Sequence, residues 1–253
     1  MNFITVFRKE MLEQWRTSRF LIVVAVFAAF GLGSPLLAKF TPEMLKALPG
    51  VPSELLAAFP APTVTDAITQ YVKNMSQFGI LLALLMTMGV VVQEKERGTA
   101  AFFLTRPVSR ETFVLAKFAA LTVTFIASLS IAAIGCWYYT DVLFEPLAWG
   151  PFLVLNGLML IIFLVYMALS LLGSTLARSN GVAVGLAFIA LIVIGLGGSL
   201  PTIGDYFPGR LFSWGMTQML GRIDSAWPAF WISLGLIAVA LVTACLVFRR
   251  QEV

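Results

Sequence analysis

Six long runs of apolar residues, none of which contains Asp, Glu, Lys or Arg, are the strongest constraint on how this chain can fold. A helix needs roughly 20 such residues to cross about 30 Å of hydrocarbon. The runs therefore predict an all-α integral membrane protein with six transmembrane helices, organised as one domain over residues 1–253. The predicted spans are residues 20–38, 75–92, 118–139, 151–177, 181–200 and 229–248.

Composition excludes several classes of function. Only 12% of the 253 residues are charged, whereas an average soluble domain has about 25%. Histidine is absent, which excludes imidazole metal sites and Ser-His-Asp triads. Two cysteines, Cys136 and Cys245, are too few for a disulfide framework or an iron–sulfur cluster. We therefore predict no catalytic residue, no metal site and no cofactor in this chain.

The basic residues predict which way the spans run. With both termini on one side, twelve of the 17 basic residues fall on that side and five on the other. The positive-inside rule then places the N- and C-termini in the cytoplasm, in a multi-pass protein of the cytoplasmic (inner) membrane. Because these charges flank apolar spans, they do not indicate nucleic-acid binding. The twelve are Arg8, Lys9, Arg16, Arg19, Lys95, Arg97, Arg106, Arg110, Lys117, Arg178, Arg249 and Arg250.

Residues 1–19 have the pattern of an amphipathic helix. Phe3, Phe7, Met11 and Trp15 recur every four residues, and charged residues occupy much of the remaining helix surface. We predict an interfacial helix with its aromatic stripe at the acyl boundary. The alternative is a cytosolic helix packed on other loops.

Two segments on the other side of the membrane each have two interpretations. Five prolines in residues 39–74 predict short helical pieces, with 43–48 and 66–74 the best candidates. This loop could contact an extracytoplasmic protein, and a simple connector is an equal alternative. Residues 201–228 predict short helices that form a lid over the bundle, or else an interfacial loop held by aromatic residues.

The loop at 93–117 has the most informative pattern. Gly98 follows four alternating charges, Thr99 can cap a short helix, and Pro107 prevents that helix from continuing. Ser109 is a good cap for the following helix. The five apolar residues at 100–104 would be costly to leave in water, so they predict a partner, either a groove in another protein or the membrane.

This loop resembles that of a known family. Glu94-x-Glu96-x-Gly98-Thr99, followed by Leu104, Pro107-Val108-Ser109-Arg110 and Lys117, resembles the cytosolic loop of ATP-binding-cassette (ABC) exporter permeases of the type-two class. The resemblance implies that this short helix is a coupling helix, which docks on the ATPase subunit. The docking residues so implied are Glu94, Glu96, Arg97, Gly98, Thr99, Phe102, Phe103, Leu104, Arg106, Pro107, Ser109 and Arg110.

The predicted source of energy lies outside this chain. No Gly-x-x-x-x-Gly-Lys-Ser/Thr motif occurs, so ATP and Mg would be bound by a partner subunit. Uncharged spans also disfavour ion-coupled transport. The polar residues within the spans are interpreted as contacts between helices, and substrate-binding residues stay unassigned. They are Thr122, Thr124, Ser128, Asn156, Tyr166, Ser170 and Ser174.

These features predict a permease subunit that forms a homodimer and pairs with a cytosolic ABC ATPase. By the resemblance, it would export a hydrophobic or amphipathic substrate. One alternative is a membrane anchor or scaffold for a cytosolic partner, without transport. A membrane-embedded enzyme is less favoured, because the chain offers no obvious catalytic base.

Overall fold

The computed structural model describes residues 2–46, 61–98 and 109–251, and these ranges contain helices and no strand. They include a π-helical segment, Met75–Gly79, and a 3-10 turn, Gly204–Tyr206. The α-helices are α1 (Phe3–Arg16), α2 (Arg19–Lys46), α3 (Val64–Asn74), α4 (Ile80–Thr87), α5 (Val92–Glu96), α6 (Arg110–Leu143), α7 (Trp149–Leu176), α8 (Asn180–Ser199), α9 (Arg210–Met219) and α10 (Trp227–Arg250).

Six helical paths are long and apolar enough to cross a membrane, which confirms the predicted fold class. Span one is α2, span two runs from α3 through α5, span three is α6, span four is α7, span five is α8 and span six is α10. Span four packs against spans two, five and six and against α9. Span one packs along span three, and α1 also contacts span three.

The helix of span two begins earlier than the apolar run that predicted it. Thr63 Oγ1 accepts a hydrogen bond from Asp66 N, and Asp66 Oδ2 accepts one from Thr63 N at 2.8 Å. This reciprocal capping box starts a helix at Val64. The helix predicted over 66–74 is therefore present, but it continues into span two instead of standing alone in a loop.

Span one likewise extends beyond residues 20–38 and contains Pro35 and Pro42. The proline pattern of residues 39–74 predicts short helical pieces, and Pro42 belongs to that pattern. The hydroxyl groups of Ser34 and Thr41, which precede the two prolines, each donate to the carbonyl four residues earlier. These bonds do not reach the carbonyls of Gly31 and Ala38, which lose their usual donors at the prolines. Packing on neighbouring helices supports proline within membrane helices, and span one packs along span three. The helix continues to Lys46, and residues 47–60 lie outside the described ranges.

Aromatic rings fill the space between spans one, three and four. Phe27, Phe125 and Phe163 are all buried, and their ring centroids lie 5.6–6.1 Å apart in edge-to-face arrangements. Such pairs contribute about 0.5–1.5 kcal/mol beyond the area that they bury. Spans five and six contribute less to this core, since few of their residues are buried.

Span two is interrupted between α4 and α5. The backbone N–H groups of Val91 and Val92 donate to Ser174 Oγ of span four, both at 3.1 Å. A buried N–H needs an acceptor, and here the serine hydroxyl replaces the carbonyls of the preceding turn. As a result, α5 is a separate short helix fixed to span four.

The segment at 201–228 covers the opposite end of the bundle. Leu211 and Trp214 of α9 are buried, and α9 packs against span four. Gly215 lies so close to Leu155 that an added Cβ would stand 2.5 Å from the Leu155 side chain. The short helices predicted for this segment are therefore present, and α9 packs on span four, while a lid over the bundle stays a prediction.

Candidate functional site at the ends of the docking loop

The described residues on either side of 99–108 meet at one end of the bundle, which we call the terminal face. It consists of α1, α5, the first two turns of span three, the carboxyl ends of spans four and six, and the first residue of span five. Lys117 of span three contacts Glu94 of α5, and Lys95 of α5 contacts the backbone of Ala177. Lys9 of α1 and Gln251, after span six, contact Glu94 and Lys95, so α1 and the carboxyl end of span six lie beside α5.

A buried group of five charged residues, which we call the ionic cluster, joins three elements of this face: Lys9, Glu10, Glu13, Glu94 and Lys117. The Lys117 side chain is only 1% exposed, and its Nζ lies 3.0 Å from both carboxylate oxygens of Glu10. It also donates to Glu94 Oε1. Lys9 Nζ contacts Glu10 and Glu13 at 2.9 Å and Glu94 at 3.2 Å. Charge pairing thus holds α1 against spans two and three.

Lys9 and Glu13, the more exposed members of the ionic cluster, stay charged at neutral pH. Burial lowers the pKa of Lys9, but the carboxylates of Glu10 and Glu94 raise it more, so it lies above its ordinary value. Burial raises the pKa of Glu13, but the hydrogen bond and the charge of Lys9 lower it more, so it lies below its ordinary value. Each group therefore favours the charged form of the other.

The carboxylates of the ionic cluster lie close enough together to resemble a metal site. One oxygen each from Glu10, Glu13 and Glu94 falls within 4.8 Å of the others. The ammonium groups of Lys9 and Lys117 already contact these carboxylates and supply their positive charge. A cavity of about 330 Å³ adjoins the cluster and is also lined by Arg19 and Arg97.

The α1 helix turns polar residues toward the protein. Its buried residues are Val6, Glu10 and Gln14, and Gln14 Oε1 accepts a hydrogen bond from Thr124 Oγ1 of span three at 2.6 Å. The helix therefore packs on a span, and not only on loops as the cytosolic alternative supposed. Several of its apolar residues remain exposed and available to lipid, namely Phe3, Ile4, Leu12 and Trp15.

Lys95 and Glu96, at the beginning of the loop, contact the adjoining ends of spans four and five. Lys95 Nζ donates to the carbonyl oxygens of Thr175 at 2.8 Å and Ala177 at 2.7 Å. Glu96 Oε1 accepts from the backbone N–H of Asn180, the first residue of span five, at 2.9 Å. A cation at a helix carboxyl end and an anion at a helix amino end both complement the helix dipole.

Ser109 and Arg110, after the loop, are fixed in a similar way. Ser109 Oγ accepts from Thr112 N at 3.1 Å, which confirms the predicted cap. The guanidinium group of Arg110 donates to the carbonyl oxygens of Phe248 and Arg249, both at 3.2 Å, and to that of Gln251. These groups belong to the carboxyl end of span six.

The structure places the predicted docking residues in two groups. Glu94, Glu96 and Arg110 contact other parts of this chain, whereas Arg97 and Gly98 are exposed. Gly98 has φ +67°, a conformation that favours glycine and ends α5. Docking by these residues stays a prediction. Ser109 caps span three, and the other six lie outside the described ranges: Thr99, Phe102, Phe103, Leu104, Arg106 and Pro107.

Sequence reasoning missed several residues of the terminal face. Lys117 immediately precedes the apolar run at 118–139, and Glu10 lies on a helix whose polar side was expected to face water. The available signal was a lysine adjoining a span, with acidic residues on a neighbouring amphipathic helix. Lys95 and Gln251 had no comparable signal, because their partners are backbone carbonyls.

Four of the seven polar residues predicted to be contacts between helices form hydrogen bonds to another helix, namely Thr124, Asn156, Ser170 and Ser174. Ser128 instead donates within its own helix. Ser170 Oγ donates to Leu84 O of span two at 3.4 Å, and Asn156 Oδ1 accepts from the Tyr71 hydroxyl at 2.6 Å. Asn74 Nδ2 donates to Ser34 Oγ of span one at 2.9 Å. These bonds join span two to spans one and four.

Six apolar helices, an amphipathic α1 packed on span three and a charged terminal face define a multi-pass membrane protein of the transporter type. The chain belongs to the ABC-2 family of transporter proteins, whose family model matches residues 4–253. Membership of this family indicates a transport permease rather than an enzyme.

Two relatives from Bacillus subtilis (strain 168) agree with this assignment. The chain is 26% identical to "Uncharacterized transmembrane protein YxlG" over 176 residues. The matched region covers 70% of this chain and 68% of the relative. The chain is 22% identical to "Putative transport permease YvfS" over 196 residues. This matched region covers 72% of this chain and 78% of the relative.

Proposed function

We propose that this chain is the permease subunit of an ABC exporter and that it binds a separate ATPase through residues 94–110. Two copies of the chain form the membrane pore, and two ATPase subunits bind beneath them. The observation that carries the proposal is the anchoring of both ends of this loop to span ends, through Lys95 and Arg110. A loop held in this way transfers a push from a partner to the membrane helices.

The distribution of charge supports energy input from a partner subunit. Ion-coupled transporters use ionisable groups within the membrane, and the six predicted runs contain none. Lys117, just outside the third run, is buried at the terminal face, where its charge is matched by Glu10 and Glu94. The sequence also lacks a phosphate-binding loop, so the nucleotide must be bound elsewhere.

The proposed mechanism begins with closure of the ATPase subunits around nucleotide. Closure pushes on the apolar segment at 100–104, and α5 and the start of span three move with it. Because α5 is fixed to Ser174 and to Lys117, the displacement reaches spans three and four. The bundle then alternates between inward-open and outward-open states. A largely uncharged pathway suits a hydrophobic or amphipathic substrate.

In the proposed orientation the chain spans the cytoplasmic (inner) membrane, and its terminal face lies in the cytoplasm. Twelve of the 17 basic residues then lie inside, as the positive-inside rule requires. The exposed side chains of Trp15 and Leu12 contact the inner leaflet in this frame.

A double substitution tests docking directly. Phe102→Asp with Phe103→Asp places two charges in the apolar segment, and we expect co-purification with the ATPase to be lost. The matched control is Ile203→Asp with Tyr206→Asp, which changes two exposed residues at the opposite end of the bundle. Undiminished co-purification of the first variant would overturn the docking assignment.

A second measurement separates transport from anchoring. ATP hydrolysis by the purified complex in vesicles is measured with and without a panel of amphipathic dyes. A transporter of such compounds responds to at least one dye with faster hydrolysis. A scaffold gives the same rate with every dye and with none.

A further inference from the structure

We propose that Lys95, Arg110 and Gln251, which we call the clasp, are positioning residues that carry displacement of the docking loop to spans four and six. This inference rests on the proposed function, since it assumes that the loop is moved by an ATPase. It goes further by naming the helices that respond and the contacts through which they do so.

The first contact of the clasp is at the carboxyl end of span four. The final carbonyl groups of a helix have no partner within the helix and carry partial negative charge. Lys95 Nζ donates to two carbonyl oxygens at this end, those of Thr175 and Ala177. Lys95 lies near the start of the docking loop, three residues before Gly98. Because it is bonded to these carbonyls, movement at the start of the loop pulls directly on span four.

The second contact is at the carboxyl end of span six. Arg110 donates to the carbonyl oxygens of Phe248, Arg249 and Gln251. Arg110 is the first residue of span three and follows the loop directly. Lys95 and Arg110, which lie near the two ends of residues 94–110, therefore donate hydrogen bonds to the carboxyl ends of two different spans.

Gln251 joins these two contacts. Its Oε1 accepts from Lys95 Nζ at 3.2 Å, and its Nε2 donates to Thr175 O at 2.9 Å. Its backbone carbonyl accepts from Arg110. One residue thus contacts both loop ends and the carboxyl end of span four. Spans four and six are expected to move together when the loop moves, because both are held by the same bonded group.

The chemistry of Lys95 makes this proposal testable without unfolding the protein. Its bonds within the described ranges go to two backbone carbonyls and one amide oxygen, and none of these goes to a carboxylate. Lys95→Met therefore leaves no acidic partner buried without its counter-charge. By contrast, removing Lys117 would leave the carboxylates of Glu10 and Glu94 to share Lys9 with Glu13.

The experiment measures the distance between spin labels in the assembled transporter. Cys136 and Cys245 are changed to Ala, and a label is attached at Leu176→Cys, the last residue of span four, which is exposed. The distance between the two labels of the homodimer is measured with no nucleotide and after trapping with ATP and vanadate. ATPase co-purification and thermal stability are recorded for each variant.

With native Lys95 in place, we expect a change in distance on trapping. In Lys95→Met the change falls about twofold or more, while the ATPase still co-purifies and the thermal stability stays close to that of the parent. Lys95→Arg keeps a cation that can donate to the same carbonyls and restores the change. Arg250→Met, which removes a nearby exposed cation of span six, is the matched control and keeps the full change.

Other results would overturn the proposal in distinguishable ways. A full distance change in Lys95→Met would show that the clasp carries no motion. Loss of the ATPase in that variant would show that Lys95 docks the partner directly. If the parent protein itself neither dimerises nor retains an ATPase, the proposed function fails, and this inference fails with it.

Discussion

Two groups of ion pairs lie at opposite ends of the molecule and use charge differently. At the terminal face, Lys117 is 1% exposed and contacts two acidic side chains from other elements. At the other end, Arg210 bonds Asp205 at 3.1 Å and Asp224 at 2.7 Å, and the Asp205 side chain is 80% exposed. All three residues of this second group belong to one local segment.

The comparison shows that the burial of an ion pair and the number of elements it joins, rather than its bond length, determine its contribution to the structure. Exposed pairs are screened by water and contribute little to stability. A buried charge must keep its partners, since losing one leaves the others without compensation. The ionic cluster thus fixes three elements relative to one another, whereas the Arg210 group shapes a single turn.

The largest expected effect comes from removing the buried lysine. Lys117→Met removes one of the two lysines of the ionic cluster and leaves its three carboxylates to Lys9, and we expect a loss of about 3–5 kcal/mol in the free energy of unfolding. Thermal unfolding of the purified protein in detergent measures it. The matched control is Lys39→Met, a lysine toward the opposite end that lies 5.1 Å from the Phe144 ring centroid. Its loss should be about 1 kcal/mol or less.

A companion variant identifies the cause of that loss. Lys117→Met combined with Glu10→Gln and Glu94→Gln removes two of the three carboxylate charges, and it should recover most of the lost stability. If Lys117→Met is as stable as the parent, or if the triple variant is no better than the single one, the ionic cluster does not act as described.

An intermediate effect is expected where close packing, rather than charge, holds the opposite end together. Gly215→Ala places a Cβ 2.5 Å from Leu155 Cδ1 and 3.2 Å from Leu155 Cα, so α9 must move away from span four. Overpacking of this kind costs about 1–3 kcal/mol, again measured by thermal unfolding. Gly195→Ala is the control, since nothing lies within 4 Å of the added atom. Equal stability of the two variants would contradict the tight contact.

The smallest effect concerns the exposed pair and depends on pH. The hydrogen bond from Arg210 holds the pKa of Asp224 below its ordinary value. The unfolded chain therefore binds this proton more readily, and the stabilisation is complete above the ordinary Asp pKa of about 3.9. It is lost as pH falls through the lower pKa of the folded state.

Thermal unfolding of the parent and of Asp224→Asn from neutral to acidic pH tests this expectation. The two melting temperatures should differ slightly at pH 7 and converge as the solution is acidified, with a smaller difference at high salt. A difference that persists below the pKa of the folded state would rule out the ion pair as its source.

Much of the fold could be predicted from sequence because spans are marked by local composition. Six apolar runs were enough to give six spans. Their limits were less accurate, since polar residues such as Thr63 and Asp66 begin a helix through capping and not through hydropathy. Lys117 was assigned to a loop for the same reason, although it lies within the helix that forms span three.

The terminal face could be predicted only in part, because its contacts join residues that are far apart in the chain. The pattern around Glu94 and Gly98 located the loop and suggested a family. Nothing local indicates that Glu10 meets Lys117, or that Gln251 meets Lys95. An amphipathic pattern also assigns polar residues to water, whereas Gln14 faces span three.

The π-helical segment at 75–79 makes the length of span two as important as its hydropathy. Deleting one residue there would rotate α3 by about 100° relative to α4, because an α-helix has 3.6 residues per turn. Tyr71 could then no longer reach Asn156 while α4 kept its place beside span four. A shortened span would still look like a membrane helix in any hydropathy plot, yet its two halves would face the wrong neighbours.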